Sequence, residues 1–358
     1  MKLPKLNVNG LIAEIPIIQG AMGIGVSGPS LAAAVANEGG IGVIAGVNIG
    51  YQEPDFTHDK LKADLRALKS QLIKVRQLSP KGIIGINLMV AMNHYEDLAR
   101  AAAQGGIDLI ISGAGLPTKL PEYVKGFKTR IAPIVSSGKA ARVLLQYWDK
   151  HYGRTADMII VEGPEAGGHL GFSEELLNSS DRTPVMDLVK DVINNIKPFQ
   201  EKFQIDIPVI AAGGIYSGAD IAECIKGGAS GVQMATRFAA TDECDADIKF
   251  KEAYLTAKEE DVVIIISPVG MPGRAVNNKF IKDLTEHGKK ITECLDCLRT
   301  CNPKVSPYCI STALINAVKG NVDDGLIFAG SNVHRIDKIV SVKQLIDELV
   351  HDAEMALD

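Results

Sequence analysis

A histidine set in a glycine loop at the end of an apolar run is the first place in this chain where residue types could do chemistry. The stretch is Glu162-Gly163-Pro164-Glu165-Ala166-Gly167-Gly168-His169-Leu170-Gly171, and it follows Met158-Ile159-Ile160-Val161. The apolar run reads as a buried strand. Where it ends in Glu162 and opens into glycines, the residues stop serving packing and begin serving a site. Glycine has no Cβ and tolerates positive φ, so Gly168 and its neighbours let backbone approach a ligand closely. Histidine exchanges a proton near neutral pH. Together they suit a flat, phosphate-bearing cofactor lying over the loop, with His169 working beside it. Taken alone, the segment also fits a tight turn with a surface histidine.

A second group of reactive side chains lies far along the chain. Cys294, Cys297, Cys301 and Cys309 fall in the spacing C-x2-C-x3-C-x7-C. In a reducing compartment such a group points to metal or redox chemistry. Thiolates at this spacing can bind an iron–sulfur cluster or a zinc ion. The alternative is a cysteine-containing lid helix, since Cys294, Cys297 and Cys301 also share one helical face. Cys224 and Cys244 read as isolated small hydrophobes. Among the other histidines, His94, His151, His287 and His351 lie in helical or charged stretches and read as surface residues. His334 follows a glycine loop and stands apart from them.

Eight short apolar segments must position these groups. They end near Gly20, Gly46, Met89, Gly115, Ser137, Glu162, Ile215 and Phe238, and helical patterns alternate with them. Helical spacing is clearest over 59–78, 95–104, 143–148 and 219–226, with a short alanine-rich helix over 30–37. Apolar runs without strict alternation indicate strands buried on both faces, as in parallel sheets. Eight such units in about 240 residues predict a (β/α)8 TIM barrel, with a doubly wound open sheet as the alternative. Gln19-Gly20-Ala21-Met22-Gly23 contains a single G-x-G and lacks a full dinucleotide fingerprint, which disfavours the open sheet. Residues 1–241 would form the barrel, 242–325 a lid or insertion after the eighth strand carrying the cysteines, and 326–358 a segment returning to the barrel.

In this fold the site lies at the C-terminal strand ends. Those ends carry Gln19, Gly20, Asn87, Ser112, Gly113, Ser136, Glu162, Gly213, Gly214, Ala235 and Thr236. Small and polar residues dominate, as a flat ring system with a polar rim requires. The last two loops, at Gly213-Gly214 and Ala235-Thr236, occupy the position where such barrels commonly hold a phosphate.

The composition excludes several classes. Apolar residues are 46%, charged residues 23%, and the net charge is −5, with no basic block to suggest nucleic acid. No apolar run reaches the roughly 20 residues of a membrane span. The first residues lack the apolar core of a signal peptide, so a cytoplasmic location and a small-molecule substrate are expected.

Gln19-Gly20-Ala21-Met22, the loop 162–171, Ala211-Ala212-Gly213-Gly214-Ile215 and Met234-Ala235-Thr236-Arg237-Phe238 together resemble the FMN-dependent nitronate monooxygenases, formerly 2-nitropropane dioxygenases. The pattern is similar to that of the enoyl-acyl-carrier-protein reductase II enzymes. It spans 12–240 in order and resumes at 267–278 and 328–331. The resemblance implies an FMN over the barrel mouth. Gly20, Met22 and Asn87 would lie near the ring, and Ser112 and Glu162 around the ribityl chain or ring edge. Gly213, Gly214, Ala235 and Thr236 would hold the phosphate, and His169 would be catalytic. Ala235 stands where the family usually has Gly, and its methyl would crowd the phosphate. Ala21 is a milder departure. The cysteine spacing is similar to that which holds a [4Fe–4S] cluster in other FMN barrels, and is foreign to the common nitronate monooxygenases.

The implied activity is oxidation of alkyl nitronates. The alternative is an NAD(P)H-dependent enoyl-thioester reductase, in which the cysteines would serve an electron relay. A third reading is a non-catalytic, flavin-binding barrel that docks a partner, with a zinc-held cysteine module. The resemblance also implies a homodimer.

Overall fold

In the computed structural model, which describes residues 1–288, 291 and 293–358, eight parallel strands close into a barrel. In chain order they are Ile17–Gln19, Ile41–Ala45, Ile83–Met89, Leu109–Gly113, Arg130–Val135, Ile159–Glu162, Val209–Ala212 and Gly231–Met234. Each pairs with its neighbours in sequence, and the eighth pairs with the first. The expected (β/α)8 barrel is therefore the observed fold.

The strands read as unbroken apolar runs because both faces are buried. In the sixth strand Ile160 packs inward with Ile18, Val43, Ile111 and Ile210. Ile159 and Val161 face outward onto the single helix that carries Val189, Val192 and Ile196. The bottom of the barrel is plugged by an antiparallel hairpin, Leu6–Val8 with Leu11–Ala13. It adds Leu6, Val8 and Ala13 to the interior cluster.

The expected helices are present as Pro29–Asn37, Lys60–Leu78, Tyr95–Gln104, Gly138–Tyr152 and Gly218–Lys226. Their starts are capped by side chains where the sequence allows. Asp59 accepts from Lys62 N–H, and Ser217 and Asp220 form a reciprocal capping box. Val185–Phe203, between the sixth and seventh strands, adds a helix to those that the sequence spacing indicates. Pro198 sits inside it and obscures its helical pattern.

After the eighth strand the chain leaves the barrel. It forms a helix Ile248–Thr256, an antiparallel hairpin Val262–Ile266 with Pro272–Val276, and helices Lys279–His287 and Ile310–Val318. These last elements share a small core of Ala275, Phe280, Leu298, Tyr308, Ile310 and Leu326. The chain then returns as Val342–Leu357, which packs against Gly218–Lys226 and Pro29–Asn37. It thus fills the eighth-helix place, between the helices that follow strands seven and one. Among the described residues no helix is long and apolar enough to cross a membrane.

Candidate functional site

Register gathers the strand ends into one ring. Glu162 lies opposite Ala212, Ala212 opposite Gln233, Met234 opposite Gln19, and Ala45 opposite Asn87. Above the ring opens a cavity of about 390 Å3, within the roughly 300–1,000 Å3 usual for small-molecule sites. Gly20, Met22, Asn87, Glu162, Gly168 and His169 line it, and so do Gly213, Gly214, Ala235 and Thr236.

Ser112 corrects the expectation made for it. It is fully buried in the barrel wall and does not line the cavity. Its hydroxyl donates to Leu88 O at 2.8 Å and lies 2.7 Å from the Tyr95 hydroxyl. Its bonding is spent inside the fold, and the neighbouring Gly113 faces the cavity instead. Gln19 is likewise structural. Its amide bridges Gly20 O, Ser27 Oγ and Val43 N–H, which fixes the first loop.

His169 is not on a loose surface turn. Gly168–His169 is a short strand that pairs with the tail hairpin, His169 opposite Gly273 and Gly168 opposite Arg274. The imidazole Nε2 lies 2.8 Å from Ser267 Oγ, and the ring meets the edge of Phe328 at 5.0 Å between centroids. Ser267 is held in turn, because its hydroxyl accepts from Val269 N–H at 3.3 Å. Burial pushes the His169 pKa down to about 4, so the ring is neutral at pH 7. Burial pushes Glu162 the other way, up to about 8. Both groups border the cavity while being shielded from bulk solvent. One cavity thus holds a neutral base and a largely protonated carboxyl. Opposed shifts of this kind mark acid–base sites.

The turns at the ends of strands seven and eight leave cradles that a side chain would fill. Gly213 and Gly214 have φ of +94° and +80°, and a Cβ on them would come within 2.9 Å of Ala166 N and 2.7 Å of Glu165 Oε2. Thr236 Oγ1 accepts from Gly330 N–H, and Asn332 Nδ2 donates to Gly214 O at 2.7 Å. A loop of the returning tail therefore braces both turns. Backbone turns of this kind suit a phosphate. With the small residues at Gly20 and Ala21, the shape and donor chemistry fit an FMN. Ala235 has φ −123°, so its methyl brings no backbone strain.

Sequence reasoning gave no role to Ser267, Phe328 or Arg274. Arg274 is buried, and its Nη1 donates to Pro164 O at 2.7 Å and Ala166 O at 2.6 Å, clamping the glycine loop. Burial lowers its pKa to about 10. These residues lie in the segments 267–278 and 328–331 where the resemblance resumes, but no local signal gives them a role, because Ser267 and Arg274 act across about a hundred residues of chain and Phe328 across more. His334 bonds Ser331 O through Nδ1 and does not line the cavity.

The cysteine segment is not a lid helix. The described residues from 293 to 308 form no helix, and Cys309 only caps Ile310–Val318. That alternative for the cysteines falls, because a left-handed Asp296 (φ +43°) and Pro303 break the turn. Among the described residues no three His, Cys, Asp or Glu side chains already stand at ligand distance of a common ion.

With this geometry in view, the chain's likenesses are informative. The family model for nitronate monooxygenase matches residues 7–352. A probable nitronate monooxygenase of Staphylococcus saprophyticus is 30% identical, over 99% of this chain and 98% of the relative. A (3aS,4S,5R,7aS)-5-hydroxy-7a-methyl-1-oxo-octahydro-1H-indene-4-carboxyl-CoA dehydrogenase of Rhodococcus jostii is 28% identical over 96% and 94%. Among solved structures, FabK from Thermotoga maritima superposes with a TM-score of 0.73 at 28% identity, covering 96% of this chain and 93% of that one.

Proposed function

This chain belongs to the nitronate monooxygenase family and is a flavin-dependent oxidoreductase; on that premise we propose that it binds FMN in the barrel cavity and oxidises alkyl nitronates, with His169 handling the proton. The observation that carries the reading is His169 itself, a neutral imidazole at the cavity wall, hydrogen-bonded to Ser267 and backed by Phe328. The flavin, when bound, supplies the electron chemistry, taking electrons from the substrate and passing them to dioxygen. The chain supplies the rest. Gly213, Gly214, Ala235 and Thr236 hold the phosphate. Gly20, Met22 and Asn87 border the ring, Gly168 lets the backbone approach it, and Glu162 offers a hydrogen bond at its edge. His169 takes the proton from the carbon that bears the nitro group when the substrate arrives as a neutral nitroalkane.

A second reading is favoured by two likenesses at 28% identity, a carboxyl-CoA dehydrogenase and FabK. In it NAD(P)H is the reductant and an enoyl thioester the acceptor. The tail thiols belong to the proposal too, as a seat for an iron–sulfur cluster or zinc. Free cysteines without a single pairing fit a cytoplasmic setting.

The test is turnover of a preformed propyl nitronate in air, beside anaerobic mixing with NADH or NADPH and a crotonyl thioester. Nitronate-dependent oxygen uptake without bleaching of the flavin by either nucleotide supports the first reading. Nucleotide bleaching with thioester reduction, and no nitronate turnover, overturns it in favour of the second. A purified protein without flavin overturns both.

A further inference from the structure

The four clustered thiols converge although they are spread over sixteen residues. Cys294, Cys297, Cys301 and Cys309 all line one small recess, closed by the apolar side chains of Leu298 and Ile310. Its loop is built rather than incidental. Asp296 takes the left-handed conformation between the first two cysteines and so turns a C-x2-C segment back on itself. Asn93 Nδ2 donates to Asp296 O at 2.8 Å, and Asn93 N–H donates to Cys297 O at 3.0 Å. Arg299 N–H donates to Ala91 O, so the loop is pinned to the barrel on both sides of Cys297.

Thiols kept merely as small hydrophobes would be buried, as Cys224 and Cys244 are. Here Cys297 is buried, but Cys294 is exposed and Cys301 and Cys309 are half-buried. All four are free, so no disulfide explains the convergence. Four soft sulfur donors in one recess select zinc or iron–sulfur. Structural zinc sites usually take their ligands as two separated close pairs. Here three ligands fall within eight residues and the fourth follows after seven more, a run that suits the corners of a cluster. The recess also shares its wall with the large cavity, since Cys297, Leu298 and Ile310 line both.

We propose that Cys294, Cys297, Cys301 and Cys309 ligate a [4Fe–4S] cluster seated in this recess, against the wall of the main cavity. Seating the cluster requires the thiols that line this recess to turn to a common centre, with Cys301 Sγ leaving Ser306 Oγ, 3.2 Å away. The proposal goes beyond the nitronate reading and does not depend on it, for the thiols all lie in the tail and three of them, Cys294, Cys301 and Cys309, do not line the main cavity.

The experiment is anaerobic purification of the full chain and assay of iron, acid-labile sulfide, zinc and flavin per chain. The same assays are made on Cys294→Ser, Cys301→Ser and, as a control, Cys224→Ala. About four irons and four sulfides per chain are expected, with a broad absorbance near roughly 400 nm and a paramagnetic signal after dithionite. Cys294→Ser and Cys301→Ser, both at exposed or half-buried sites, should lose iron and sulfide at least fivefold while keeping flavin. Cys224→Ala should keep both. Zinc without sulfide overturns the cluster, and so does a chain that takes up no iron on anaerobic reconstitution with ferrous iron and sulfide. Full cluster content in Cys294→Ser and Cys301→Ser overturns the ligand set. Flavin content and nitronate turnover are read separately, so loss of the cluster proposal would leave the nitronate reading standing.

Discussion

His169 and Glu162 show how one cavity sets two titratable side chains to opposite tasks. Replacing His169 by Ala should cost about 10²–10⁴-fold in turnover of a neutral nitroalkane, the usual size of a general-base contribution. It should cost far less with a preformed nitronate, which has already lost that proton. Equal losses on both substrates would show that the ring only shapes the cavity. Ser267→Ala, which removes the hydrogen bond to His169 at 2.8 Å and the one accepted from Val269 N–H at 3.3 Å, should cost roughly 2–10-fold with flavin content unchanged. Because burial holds His169 near pKa 4, kcat/KM for the nitroalkane should be flat down to about pH 5, with no break at 6.5. A break at 6.5 would mean that the ring is solvated. Glu162 acts on stability. Its folded value lies near 8, above the unfolded 4.5, so the folded protein keeps a proton that the unfolded chain releases. Its stabilising share is complete below pH 4.5 and is lost as pH rises through 8. Glu162→Gln should therefore raise the stability of flavin-free protein at pH 9 by on the order of 2–4 kcal/mol, and change it little at pH 5. Urea denaturation at the two pH values measures this, and equal differences at both would contradict it.

Between residue and barrel, the element that matters most is the tail hairpin. It supplies Ser267 at its turn, the strand partners of Gly168 and His169, and the Arg274 guanidinium that clamps Pro164 and Ala166. Both clamp bonds leave from Nη1, so a single ammonium can make them. Arg274→Met should leave two buried carbonyls unpaired and cost about 2–4 kcal/mol, with a fall in kcat larger than any loss of flavin. Arg274→Lys should recover a good part of both in thermal melts and kinetics; a lysine variant no better than methionine would show that the planar fork itself is needed. The same hairpin shows why part of this site is hidden in the sequence. Eight buried strands and most of their helices are legible, since each is a local run with its own period. Their polar ends point to Gly20, Asn87 and His169 for the same reason. Ser267 is not legible, because it is joined to His169 only by a fold-level pairing 98 residues away. Ser112 misled for a subtler reason. Position along a strand shows that a residue is near the rim, but not whether its hydroxyl bonds inward to the wall, as this one does to Leu88 and Tyr95.

At the scale of the whole molecule, the chain completes its barrel late. The eighth strand is followed by only a four-residue helix, Thr236–Ala239, and roughly a hundred residues intervene before Val342–Leu357 fills the vacant helix position. The site is therefore finished by the same excursion that delays closure, because the excursion carries Ser267, Arg274, Phe328 and the cysteines. Closure depends on close helix packing at Gly218, where an added Cβ would lie 2.4 Å from Ala353 N and 2.6 Å from Leu349 O. These are backbone atoms and cannot swing aside, so Gly218→Ala must push the last helix off the barrel. That helix also carries Glu348, which pairs with Arg237 at 2.9 Å, beside the turn at Ala235 and Thr236. Overpacking of this kind costs about 1–3 kcal/mol. Gly218→Ala should lower the Tm while leaving the flavin spectrum and nitronate turnover at low temperature unchanged, because the displaced helix lies outside the barrel and reaches the cavity lining through the Glu348–Arg237 pair. If the variant instead loses flavin in proportion to its stability, the last helix is coupled to the phosphate turns through Arg237. The cavity would then form only as the barrel closes.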